Sequence, residues 1–344
     1  MEASRAQVGA PPQGTSPDGP DRNLAMELVR TTEYAALACA RWIGRGDKEG
    51  ADGAAVDAMR MLLDTVAMDG IVVIGEGEKD EAPMLYNGER IGDGTPPQVD
   101  VAVDPLEGTE LCAKGLPNAI ATIALSGRGT MFDPGPCVYM LKMATSRDMA
   151  HLLDLDRPLA QTLPLMAREK GVAVGDLVVI MLDRGRHQDA MREIREVGAR
   201  IRLIPHGDVS AALAAVTEGS PVDLLYGIGG TPEGVLAAAA IRCTGGQILG
   251  RLWPRSDEER AAALEAGYDL DEVLDKDRLV SGRDVFFAAT GVTDGEMLDG
   301  VHFSAPTGAT TESISMRSRS GTVRTITARH DRGKLREIVG ERLG

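Results

Sequence analysis

Residues 99–110, VDVAVDPLEGTE, alternate Val and Ala with acids and then break at Asp104-Pro105, with Glu107, Gly108 and Thr109 following at once. Pro105 cannot donate to a sheet ladder, so a strand is expected to end at Asp104. Glu107 is three residues further on, and one tight turn would aim both carboxylates at one point. Gly108 lets the backbone approach a bound group closely. Thr109 would open a helix or turn whose free N–H groups suit an anion. Hard divalent cations take carboxylate oxygens. The stretch therefore suits a metal held by its acids and a phosphate held by its amides and hydroxyl. Taken alone, it also reads as a solvated strand end capped by two acids.

Three further acids stand at similar junctions. Asp52 begins a helical pattern, where an N-cap is its plainer role. Glu76 follows the strand-like IVVIG, and Glu233 lies in the first turn after GIGG, where a carboxylate suits the helix dipole. Asp80 and Glu81 add carboxylates near Glu76, able to orient or deprotonate a metal-bound water or simply to face solvent. Four acidic clusters at element ends beside Gly-rich turns point to a site for two or three Mg²⁺ or Mn²⁺ ions. Such a site suits in-line attack on phosphorus.

The whole chain has 344 residues, 43% hydrophobic, 3% aromatic, with a formal net charge of −15. Aliphatic and Met side chains must fill the core. The charge argues against a nucleic-acid surface, and an anionic substrate would need local Arg or metal. Arg184 and Arg186, in LDRGRHQD, are spaced to clamp one anion with planar donor forks. Tyr139 is placed to donate to a phosphate or to fill a core, and Lys48, in RGDKEGAD, is a candidate neighbour of the metals. The four cysteines show no CxxC pair, which reads as reduced thiols of a cytoplasmic enzyme. No stretch is apolar enough to span a membrane. Residues 1–20 read as a flexible tail without a signal-peptide core.

The elements that must position these residues follow from periodicity. Helices are expected over 23–44 and 52–68, and strands at 71–74, 99–104, 117–126 and 138–144. Beyond residue 150 strand and helix alternate through DLVVIML, HQDAMREIREVG, ARIRLIP, GDVSAALAAV, VDLLYGIGG and TPEGVLAAAAIRC, which suggests parallel α/β layering. DVFFAATGV, TESISMRS and GTVRTITA supply three closing strands. Two α/β domains are expected, residues 21–150 carrying the metals and 151–335 the substrate, with the last strands free to return to the first.

DPLEGT resembles the D-P-[IL]-[DE]-G-T motif of the lithium-sensitive, metal-dependent sugar and inositol phosphatases. Together with TTEYAALACARWIGRGDKEGADGAAVDAMR, IVVIGEGEKDEAPMLYNGE and LLYGIGGTPEGV, the chain resembles class II fructose-1,6-bisphosphatases over residues 24–330. That resemblance implies metal-dependent hydrolysis of fructose 1,6-bisphosphate to fructose 6-phosphate, in gluconeogenesis, on an αβαβα sandwich assembled as a dimer or tetramer. It implies metal ligands at Asp52, Glu76, Asp104, Glu107 and Glu233, with Asp80 and Thr109 activating the attacking water. Substrate contacts fall at Glu107, Gly108, Thr109, Tyr139, Arg184, Gly185, Arg186, His206, Gly207, Asp208 and Gly230. Three positions depart from the family pattern: Gly185 stands for Pro, His206 for Asp and Leu141 for Glu. Sedoheptulose 1,7-bisphosphate or an inositol phosphate is the alternative substrate, and a non-catalytic sugar-phosphate sensor the remote alternative.

Overall fold

The computed structural model describes residues 24–77, 84–304 and 308–339. In chain order the elements are α1 (Ala25–Cys39), α2 (Lys48–Leu63), β1 (Asp69–Ile74), β2 (Arg90–Ile91), β3 (Gln98–Glu107), α3 (Thr109–Lys114), β4 (Ile120–Gly127) and β5 (Tyr139–Thr145). There follow α4 (Leu159–Lys170), β6 (Val178–Leu182), α5 (Gln188–Glu196), β7 (Arg200–Ile204), α6 (Asp208–Val216), β8 (Leu224–Gly230), α7 (Thr231–Thr244), β9 (Gln247–Leu252) and α8 (Asp257–Glu265). The chain closes with β10 (Leu274–Asp275), α9 (Lys276–Leu279), β11 (Phe286–Gly291), β12 (His302–Ser304), β13 (Gly308–Arg317), β14 (Thr322–Asp331) and α10 (Arg332–Val339).

Two sheets stack between helices in five layers. The first sheet runs β12-β13-β11-β4-β3-β1-β2, with β14 on β13, and the second runs β10-β9-β5-β8-β6-β7. Apolar faces of α1 and α2 cover one side of the first sheet. Helices α6 and α7 fill the space between the sheets, and α4 and α5 cover the far side of the second. This is an αβαβα sandwich. The Ala237–Ala240 run of α7 is buried on every side, as a helix between two apolar sheets requires. Small side chains let both sheets approach it. The chain leaves the first sheet after β4, builds the second from β5 to β10, and returns with β11 to β14. No helix among the described residues is long and apolar enough to cross a membrane.

In the second sheet parallel pairing is confined to β7-β6-β8, while β5 and β9 run antiparallel to their neighbours. The strand-helix alternation begins only after β5, which enters the sheet directly from the first layer. Strand β3 also runs on through Pro105 to Glu107, instead of stopping at Asp104. Strand β1 pairs with β3 only as far as Ala102, so Pro105 faces no ladder on that side. A register shift between Asp104 and Glu107 accommodates it against β4. Helix α2 starts four residues before Asp52. Asp47 is its cap, accepting the Gly50 N–H at 2.8 Å, so Asp52 is not an N-cap.

Candidate active site

The carboxyl ends of β1, β3, β6 and β8 and the amino ends of α3, α6 and α7 open onto a cleft of about 570 Å³. Asp52, Glu76, Asp104, Glu107, Gly108, Thr109, Tyr139, Arg184, Arg186, His206, Gly207, Asp208, Gly230 and Glu233 all line it. Chain segments up to 181 residues apart, from Asp52 to Glu233, thus meet at one place. Gly185 falls in the one-turn 3₁₀ segment Gly185–His187 between the two arginines and does not line the cleft. Leu141 does not line it either. Asp80 and Glu81 lie outside the described residues. Lys48 and Glu110 do line the cleft.

One pole of the cleft is acidic and desolvated. Burial pushes Glu76 up to about 7, with Asp52 repelling it. Burial pushes Glu107 up to about 8, against the stabilising amide of Val209. Asp104 is raised well above its ordinary value, first by burial and then by the charges of Glu107, Glu76, Glu233 and Asp52. Burial also raises Asp52 and Glu233. These shifts have the cause expected of like charges sharing a dry site.

Local structure holds each acid. Glu107 Oε1 accepts the Val209 N–H at 3.1 Å and Oε2 lies 3.4 Å from the Ser210 hydroxyl, so the first turn of α6 grips it. The Thr109 hydroxyl lies 3.1 Å from the Leu106 carbonyl and 3.5 Å from Asp52 Oδ1, with one proton to serve either. Glu233 folds back over Gly230, where any Cβ would overlap its carboxylate. Among the described residues the acids form no preassembled cluster of three ligands. Their chemistry is nonetheless that of a divalent-ion site: all donors are hard carboxylate oxygens facing one cleft. They fit Mg²⁺ or Mn²⁺.

The other pole is basic. Arg184 Nη2 donates to the Pro205 carbonyl at 2.7 Å, and Arg186 donates to the Ile228 carbonyl from Nε at 3.2 Å and Nη2 at 2.7 Å. The Arg186 guanidinium sits 5.0 Å over the Tyr139 ring, which Arg255 also approaches at 5.6 Å. Between the poles, His206 Nε2 lies 3.4 Å from Glu110. Burial and the Arg184 charge push His206 below its ordinary pKa. Glu110 itself is drawn down to about 2 by Lys114 and Lys48.

Sequence reasoning missed Lys142. It is 1% exposed, ion-paired with Asp208, and donates to the Gly230 carbonyl at 2.8 Å. Gly229 must lack a side chain, because a Cβ would overlap Asp208 and come within 3.0 Å of Lys142 Cε. The only signal was one Lys inside the otherwise apolar VYMLKMA.

Residues 22–330 match the family model described as bacterial fructose-1,6-bisphosphatase, glpX-encoded. The chain is 43% identical over 334 residues to a Haemophilus influenzae protein named fructose-1,6-bisphosphatase class 2, covering 93% of this chain and 99% of that one. It is 42% identical over 335 residues to a Synechococcus sp. (strain JA-3-3Ab) protein named D-fructose 1,6-bisphosphatase class 2/sedoheptulose 1,7-bisphosphatase, covering 90% of this chain and 96% of the relative.

Proposed function

Since the chain belongs to the glpX-encoded bacterial fructose-1,6-bisphosphatase family of phosphoric monoester hydrolases, we propose that its cleft removes the 1-phosphate of D-fructose 1,6-bisphosphate. The observation that carries this reading is the two-pole cleft: five acids at one end, Glu107 among them buried, and two arginines and a tyrosine at the other. A sugar with a phosphate at each end matches both poles at once.

Catalysis in this family is metal-dependent, and Asp52, Glu76, Asp104, Glu107 and Glu233 would hold two or three Mg²⁺ or Mn²⁺ ions. When bound, such ions lower the pKa of water and neutralise phosphoryl charge. The chain supplies the rest. Arg184 and Arg186 bind the uncleaved phosphate with forked donors, and Tyr139 offers its hydroxyl beside them. Asp208, steadied by Lys142, and His206 face the sugar hydroxyls. Gly108 brings the backbone close to the reacting phosphate. The Thr109 hydroxyl, shared between Leu106 and Asp52, is placed to orient the attacking water and hand its proton toward Asp52. Asp80 is proposed as a further base. Burial of the acids excludes bulk water from the charge that develops.

Sedoheptulose 1,7-bisphosphate is the second reading, favoured by the flexible Gly185 between the clamping arginines, which gives their spacing latitude. Comparing kcat/KM for the two bisphosphates and for fructose 6-phosphate decides the matter. Preference for either bisphosphate over the monophosphate supports the two-pole cleft, and equal rates on the monophosphate overturn it. We read the enzyme as a cytoplasmic homo-oligomer, consistent with its scattered free thiols.

A further inference from the structure

His187 is 2% exposed and lies beside the basic pole without lining the cleft. Its surroundings show what it does. Strands β6 and β8 are parallel and pair only at Val179–Leu224 and Ile180–Leu225. Past that point they part, and the His187 ring fills the gap. The Ile228 N–H donates to Nε2 at 2.8 Å, and Nδ1 lies 2.8 Å from the Leu182 carbonyl. A peptide N–H only donates, so Nε2 must accept and the ring proton must sit on Nδ1, facing Leu182. One neutral imidazole thus replaces a missing rung of the sheet. Burial, the strongest influence, lowers its pKa and favours that neutral form. Gly227 admits the ring, since a Cβ there would lie 3.0 Å from His187 Cε1.

The carbonyl of the same residue, in the next peptide unit, sets Arg186. The Ile228 carbonyl accepts both Arg186 Nε and Nη2, and Arg186 then lies over Tyr139. Ring, Ile228 backbone and guanidinium form one chain of contacts from the sheet interior to the cleft.

We propose that His187 is a positioning residue: by fixing the backbone at Ile228 where β6 and β8 part, it aims the Arg186 fork and so sets affinity for the phosphate that is not cleaved. This rests on the reading that Arg186 holds that phosphate. The test uses the full-length enzyme with its divalent ion, and the variants Arg186→Gln, His187→Phe, His187→Asn and His187→Gln. Each is assayed on fructose 1,6-bisphosphate and on p-nitrophenyl phosphate, which has no second phosphate. Loss of a contact to a charged group predicts that His187→Phe raises the bisphosphate KM by about tenfold or more, with kcat nearly unchanged. His187→Asn, too short to span both partners, behaves likewise and serves if the Phe variant does not fold. His187→Gln, whose amide both donates and accepts, stays near the parent. The arylphosphate constants do not move in any His187 variant. If Arg186→Gln leaves the bisphosphate KM unchanged, the clamp itself is misassigned. If Arg186→Gln raises it while the Phe and Asn variants do not, or if they depress both substrates alike, the positioning role is overturned.

Discussion

Replacing Lys142 by Met deletes a cation at the deepest polar point of the second sheet while keeping the apolar stem. Lys142 has 1% of its surface exposed and Asp208 8%, so neither partner of the pair is hydrated in the fold. The variant leaves Asp208 buried without its counter-charge and the Gly230 carbonyl without its donor. Removing one member of a buried pair costs about 3–5 kcal/mol, and an orphaned carbonyl adds about 1–3 kcal/mol. Relaxation and entering water offset part of this, and a loss of about 4 kcal/mol is the expectation. Lys142 also draws the Glu233 pKa down, so the variant should bind divalent ions more weakly. The assay is urea unfolding with chelator present, on Lys142→Met, Asp208→Asn and the double variant. With both charges gone the penalty of an unpaired buried ion disappears, and the double variant should recover about 2 kcal/mol relative to Lys142→Met. A single-variant loss below about 1 kcal/mol, or no recovery in the double variant, would refute the reasoning.

Asp104→Asn should abolish turnover yet raise the melting temperature in chelator, because the repulsion from Glu107, Glu76, Glu233 and Asp52 on Asp104 is relieved; calorimetry showing a lower melting temperature contradicts this. The chelated enzyme should lose stability as pH rises. Glu76 and Glu107 move from 4.5 in the open chain to about 7 and about 8 in the fold. The folded state therefore binds more protons than the unfolded one between those values. Their contribution is complete below about pH 4.5 and is lost as pH climbs to 7 and 8, roughly 3 kcal/mol from Glu76 alone. Chelated urea titrations that stay flat or rise over that window would speak against buried, unneutralised acids, and saturating divalent ion should remove the fall. Gly230→Ala places a Cβ onto the Glu233 carboxylate, so kcat should drop by about tenfold or more from a displaced site group, with steady-state kinetics as the check.

Much of the site was legible because its chemistry demands particular residue types at element ends. The Asp104-Pro105-Leu106-Glu107-Gly108-Thr109 turn, Glu233 after GIGG and the Arg184/Arg186 pair could be read locally, and the fold brings them to one cleft. Lys142 was invisible because a single Lys in an apolar strand gains meaning only when Asp208 and Gly230 arrive from elsewhere in the chain. His187 was hidden for the same reason, since its role depends on where two strands part. The early start of α2 escaped notice because Gly50 reads as a breaker. In the fold that glycine is required inside the helix, where a Cβ would meet the Trp42 ring at 2.6 Å. The mixed direction of the second sheet, and α4, β9 and α8 within that layer, depend on how the chain crosses from one sheet to the other, which periodicity does not encode.

The central claim is that converging buried acids make a metal-dependent sugar bisphosphatase. Its most direct test is phosphate release from fructose 1,6-bisphosphate by the purified chain with Mg²⁺, with Mn²⁺ and with chelator. Release that requires one of the two ions, stops in chelator and returns when the ion is restored is the predicted result. A folded protein that releases no phosphate with either ion, or releases it equally well in chelator, would contradict the claim.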